Sequence, residues 1–124
     1  MNPKQIISTW ITQIEEFKES LTQAERAYKR TCGGSIDSDD KTEYDNERYG
    51  CAAAIDILGN LDIPEDISRG ELVKIAVKEL KANGPKNPQR NNVLSFGITS
   101  AIAVIEGNPG SCYNFYHPRN KERQ

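Results

Sequence analysis

Apolar residues near the amino terminus recur at Ile7, Trp10, Ile11, Ile14, Phe17, Leu21, Ala24 and Tyr28. Spacings of three and four place them on one stripe of an amphipathic helix. Asn2 suits the N-cap and Pro3 the first helical position. Glu15, Glu16, Lys18, Glu19 and Arg26 fall on the opposite face. The pattern predicts a helix from Pro3 to about Thr31, stopped by Cys32-Gly33-Gly34. A polar connection, Ser35 to Glu43, follows. Helical periodicity resumes near Tyr44 and runs to about Gly59, with Asn60 as part of the stop. Its predicted inner face is Tyr44, Tyr49, Ala52, Ala53 and Ile55 or Ile57, closed by Leu58. The small residues Ala52 to Ala54 favour helix and let a neighbouring helix approach closely.

The strongest local signal is Ser68-Arg69-Gly70-Glu71, a capping box ahead of Leu72, Val73, Ile75, Ala76, Val77 and Leu80. That helix is expected to end at Asn83-Gly84-Pro85, with a left-handed cap followed by a breaker. Asn87-Pro88 reads as another cap-plus-proline start. It opens a last helix marked by Val93, Leu94, Ile98, Ala101, Ile102 and Ile105 and ending at Gly107. No stretch alternates with period two for long enough to predict a strand. The expected fold is all-α: a compact bundle of four to five helices, forming a single domain over 1–124 with an irregular tail over 108–124.

A chain of 124 residues fits one such domain. A net charge of −2 and the lack of a dense Lys/Arg run argue against a nucleic-acid or anionic-membrane partner. The longest uncharged stretch, Asn91 to Ile105, is 15 residues, whereas a spanning helix needs about 20. A soluble protein is expected. Residues 1–20 hold neither the apolar core nor the cleavage site of a secretory signal. The chain is then either cytoplasmic, or a mature periplasmic domain whose signal has been removed.

Cys32, Cys51 and Cys112 are widely spaced, with no CxxC pair and no His at metal spacing, so neither a zinc site nor a cofactor is expected. A disulfide from Cys112 to Cys51, or to Cys32, would tie down the Gly/Pro/Asn-rich tail. The alternative is three reduced thiols, with Cys51 a small apolar residue among alanines. His117 follows Cys112 by five residues, in a segment without the scaffold that a Cys/His nucleophile pair needs. In the acidic segment, Asp37 and Asp39 match the first two EF-hand ligands. Lys41 at the third position and Thr42 in place of the turn glycine break the pattern. What remains is an acidic segment that is either a solvated loop or a protein-recognition loop, and no enzyme is expected.

Residues 63–102 read IPEDISRGELVKIAVKELKANGPKNPQRNNVLSFGITSAI. This block resembles the core motif of the Rap/Tai family, immunity proteins against peptidoglycan amidase effectors of type VI secretion. The positions that carry the resemblance are Ile63, Pro64, Gly70, Glu71, Leu72, Val73, Val77, Leu80, Lys81 and Pro88, then Val93, Leu94 and Ala101. Tyr49 through Asp56 looks like the family's preceding Cys-bearing helix, and KQIISTWI like its first mature helix. Asp62 stands where the family often has a cysteine, and Asn108 to Cys112 echoes its C-terminal F-P-C.

The resemblance implies a small helical protein, commonly a homodimer, without catalysis of its own. It would bind a papain-like amidase effector and occlude the active-site cleft with a protruding loop. Two segments are candidates for that loop. One is acidic and includes Ser35, Asp37, Ser38, Asp39 and Asp40. The other is basic and includes Lys86, Asn87, Gln89 and Arg90. The rival expectation is a helical adaptor or regulatory protein with a cytoplasmic protein partner.

Overall fold

The computed structural model describes residues 2–87 and 91–107. It holds four helices, α1 (Pro3–Thr31), α2 (Ser38–Gly59), α3 (Arg69–Asn83) and α4 (Phe96–Ile105), and a minimal antiparallel ribbon, β1 (Lys86–Asn87) and β2 (Val93–Leu94). The all-α expectation therefore holds for the described part of the chain. Helix α2 is the central element, packing α1 along one side and α4 along the other, while α3 leans chiefly on α4.

Helix α1 begins as predicted. The Asn2 side chain accepts from the Gln5 N–H at 2.9 Å, and the Gln5 side chain accepts from the Asn2 N–H at 3.1 Å. This reciprocal box satisfies two donors that a helix start leaves open. Its buried stripe is Ile6, Trp10, Ile14, Phe17 and Leu21. Ile7, Ile11, Ala24 and Tyr28 lie at the margin, half-buried. The helix ends where Gly33 and Gly34 take φ of +75° and +94°, which residues with a Cβ rarely adopt.

Helix α2 starts six residues earlier than periodicity suggested, at Ser38 rather than Tyr44. Asp39 and Asp40 occupy its first turn, where a carboxylate meets the positive end of the helix dipole. The inner face also differs. It comprises Tyr44, Glu47, Gly50, Cys51, Ala54 and Leu58, while Tyr49 and Ala52 point to solvent. A glutamate and a glycine at inward positions masked the true stripe.

The phenol of Tyr44 is buried in this face. Burial pushes its pKa up to about 12, with the nearby Asp40 and Glu25 carboxylates adding to the effect and Arg48 opposing it. An unfolded chain ionises the same phenol near pH 10, so the stabilisation is complete below pH 10 and is lost as the pH rises through about 12. Urea unfolding between pH 9 and 12 should show this loss. Tyr44→Phe should remove about 2 kcal/mol of the alkaline decline. An unchanged decline would show that Tyr44 does not cause it.

Helix α3 starts at the expected cap, the Ser68 hydroxyl accepting from the Glu71 N–H at 3.2 Å, but as a one-sided cap rather than the reciprocal box. It buries Leu72, Ala76 and Leu80. Its end is not left-handed. Gly84 takes an extended conformation, φ −70° and ψ 147°. A Cβ there would lie 2.5 Å from the Leu80 carbonyl oxygen and 2.8 Å from Ile98 Cγ1. Close approach to α4, rather than positive φ, is what requires the glycine.

The last helix begins at Phe96, not at Pro88. Val93 and Leu94, expected on that helix, form β2 instead, paired with Asn87 and Lys86. Asn91 and Asn92 take φ of 57° and 58°, turning the chain back toward β2. Ser95 then caps α4, its hydroxyl accepting from the Ile98 N–H at 3.4 Å. Gly50 and Gly97 bring α2 and α4 into backbone contact. A Cβ on Gly97 would collide with Glu47 O and Cys51 N and lie 2.5 Å from the Gly50 carbonyl carbon.

Candidate functional site

The two predicted partner-binding segments lie at different places. Ser35 and Asp37 are exposed in the connection between α1 and α2. Ser38, Asp39 and Asp40 belong to α2 itself, so the acidic loop is shorter than Ser35 to Glu43. Asp40 is held against α1, its Oδ2 accepting from the Tyr28 hydroxyl at 2.8 Å. That hydrogen bond, with help from burial and the Asp40 charge, raises the Tyr28 pKa well above the ordinary phenol range. The residue thus joins two helices as well as facing solvent.

The basic segment lies in the ribbon between α3 and α4. Lys86 is exposed, but Asn87 is 2% exposed and points inward, so its side chain is part of the ribbon's anchorage. The Asn87 carbonyl accepts from the Asn92 N–H at 3.1 Å, closing the turn. Gln89 and Arg90 lie outside the described residues. Ser95, which follows the ribbon directly, meets α2 at Gly50, ten residues and roughly 15 Å along the helix from Asp40. The acidic and basic candidates therefore form two surfaces rather than one.

The structure adds two residues that periodicity misplaced. Tyr49, expected inside, is 66% exposed, and Val93, expected on a helix, is 55% exposed. They are the exposed large hydrophobic residues among those described. Tyr49 precedes Gly50, whose ideal Cβ would collide with Ser95 Oγ, and Val93 stands two residues before Ser95. Each stands within a few residues of the α2–α4 crossing along the chain. Tyrosine is among the residues enriched at protein-binding hot spots. Once Cys51, Ala54 and Leu58 are taken as the inner stripe, the 3.6-residue period places Tyr49 on the far side of α2.

Polar contacts fix this part of α2. Arg48 bonds Glu25 of α1 at 2.5 Å and Asp45 at 2.5 Å, and Asp45 also bonds Lys41 at 3.0 Å. Burial works against the Arg48 charge, but the two carboxylates outweigh it and raise its pKa. The Lys41 hydrogen bond, aided by Arg48, holds the Asp45 carboxyl below its ordinary range despite some desolvation.

Cys51 is fully buried in α2, whereas Cys32 is exposed at the end of α1. Cys112, the shared partner in both predicted disulfides, lies outside the described residues, as does His117. Among the described residues, no group of His, Cys, Asp and Glu is placed to hold a metal ion. No described helix is long and apolar enough to cross a membrane. No protein-family model, curated protein or solved structure matches the chain.

Proposed function

We propose that the protein is an immunity protein of the Rap/Tai type, which binds a papain-like peptidoglycan amidase effector of type VI secretion and occludes its active-site cleft. The observation that carries this reading is the ribbon between α3 and α4. It is short, anchored through buried Asn87, closed by Asn91 and Asn92 in left-handed conformation, and carries exposed Val93. Its paired ends, Lys86–Asn87 and Val93–Leu94, are already held together and so lose little conformational entropy on binding. The family-like block of residues 63–102 includes this ribbon. The same reading places the protein in the periplasm, as a homodimer without a cofactor.

The test measures peptidoglycan cleavage by purified papain-like type VI amidases, with the full chain added in stoichiometric amount. Inhibition of at least one such amidase is expected. Val93→Asp combined with Tyr49→Ala should weaken it by roughly a hundredfold, the effect of losing two hot-spot contacts. The melting temperature should be retained, since both side chains are exposed. Full inhibition by this folded variant would refute the ribbon's role. Failure of the wild-type chain to inhibit any member of that amidase class would refute the function.

A further inference from the structure

The outward side of α3 and the end of α4 border an open groove of about 570 Å³. Its floor is apolar, formed by Val73 and Val77, which rest half-buried against the core, and by Ala82. Its rim is cationic. Lys74, Lys78 and Lys81 line it at spacings of four and three, in one row along the helix. Like charges at these spacings repel. None of the three forms an ion pair or a side-chain hydrogen bond with another described residue. Glu79, on the same helix, is instead hydrogen-bonded by the Asn83 side chain at 2.9 Å. Glu106 is the one carboxylate among the described lining residues.

We propose that this groove docks an acidic amphipathic helix of a partner protein. Two unmet needs coincide here, an apolar strip exposed to water and a row of uncompensated ammonium groups. A small anion would satisfy the rim and leave the floor wet. An amphipathic helix with aliphatic residues on one stripe and carboxylates beside it answers both, in the helix-in-groove mode of recognition. Charge complementarity would speed encounter and fix the orientation. A second copy of this chain could offer only its most acidic helix, α2, and there the exposed non-glycine apolar residues are Tyr49 and Ala52, short of the aliphatic stripe that the groove's floor requires. The proposal does not depend on the immunity reading, because the groove and the ribbon are different surfaces.

The test uses the full chain and a fluorescein-labelled synthetic helix of about 18 residues, long enough to fold on docking. The peptide carries leucines on one stripe and glutamates on its flanks. A scrambled peptide of the same composition is the control, and anisotropy is read at physiological ionic strength. Saturable binding of the amphipathic peptide is expected. It should weaken by roughly tenfold or more when Lys74, Lys78 and Lys81 are all replaced by Glu, and again for Val77→Asp, because rim and floor both contribute. The triple alanine variant at the same lysines should also bind more weakly and retain the wild-type circular dichroism spectrum. Equal binding of the scrambled peptide, unchanged binding by the lysine variants, or no binding at all would overturn the proposal. So would binding to phosphatidylglycerol vesicles that the peptide does not displace. Self-association of the chain that the lysine variants abolish would overturn it too, by assigning the groove to a second copy.

Discussion

Gly97→Ala is expected to destabilise the protein by roughly 3 kcal/mol, at the upper end of the range for overpacked sites. The added methyl would meet backbone on every side. Glu47 O and Cys51 N are in collision range and the Gly50 carbonyl carbon lies at 2.5 Å. A flexible side chain could rotate away, but these atoms belong to the central helix and cannot move without separating α2 from α4. That separation would open the packing around Ile98 and Ala101, both buried. For a domain of this size the melting temperature should fall by roughly 10 °C. Gly70→Ala is the matched control. Its Cβ would meet nothing within 4 Å, and its φ is not in the left-handed region. That substitution should stabilise α3 by about 0.5–1 kcal/mol through helix propensity. Denaturant unfolding of both variants measures the contrast. A Gly97→Ala protein as stable as wild type would show that the two helices do not cross at this contact.

The second large effect concerns Glu47. Its side chain is completely buried between α2 and α4, and its Oε1 accepts from the Ser100 hydroxyl at 2.8 Å. Glu47→Ala should cost about 3 kcal/mol, because it leaves a cavity and strands the buried Ser100 hydroxyl. Glu47→Gln keeps an acceptor at the same place and should cost about 1 kcal/mol or less. Ser100→Ala, made alone and with Glu47→Ala, completes a double-mutant cycle, and a coupling of about 1–2 kcal/mol is expected. Zero coupling would mean that the hydrogen bond contributes nothing to stability. Glu47→Met tests the opposite idea, since well-packed apolar replacements of buried polar groups are often neutral or stabilising.

These two sites explain why the second helix was harder to read than the first. In α1 the buried positions are Ile, Trp, Phe and Leu, so the hydrophobic period and the burial pattern nearly coincide. In α2 the inward positions include Glu47 and Gly50, which an apolar count discards. The apolar count instead places the exposed Tyr49 and Ala52 inward. Glu47 is tolerated inside because Ser100 of α4 meets it, and Gly50 is needed because Gly97 does. Both reasons lie about fifty residues away along the chain. The start of α2 was missed on similar grounds, since its acidic first turn carries no apolar signal and is favoured by the helix dipole.

The site divides the same way. The candidate residues Lys86 and Asn87 were found from their place in a polar connection, but their opposite fates, one exposed and one buried, follow from the pairing of β1 with β2. The all-α class, the span and both ends of α1, the Ser68 cap of α3 and most of the apolar core are legible in the order of residues alone. Each depends on residues within a turn or two of one another, where capping and periodicity act. The ribbon in place of a helical start, the extended Gly84, the inward Glu47 and the outward Tyr49 come from packing between distant segments. Each of these depends on what a distant segment places opposite, and that is a matter of close packing between helices rather than of local preference.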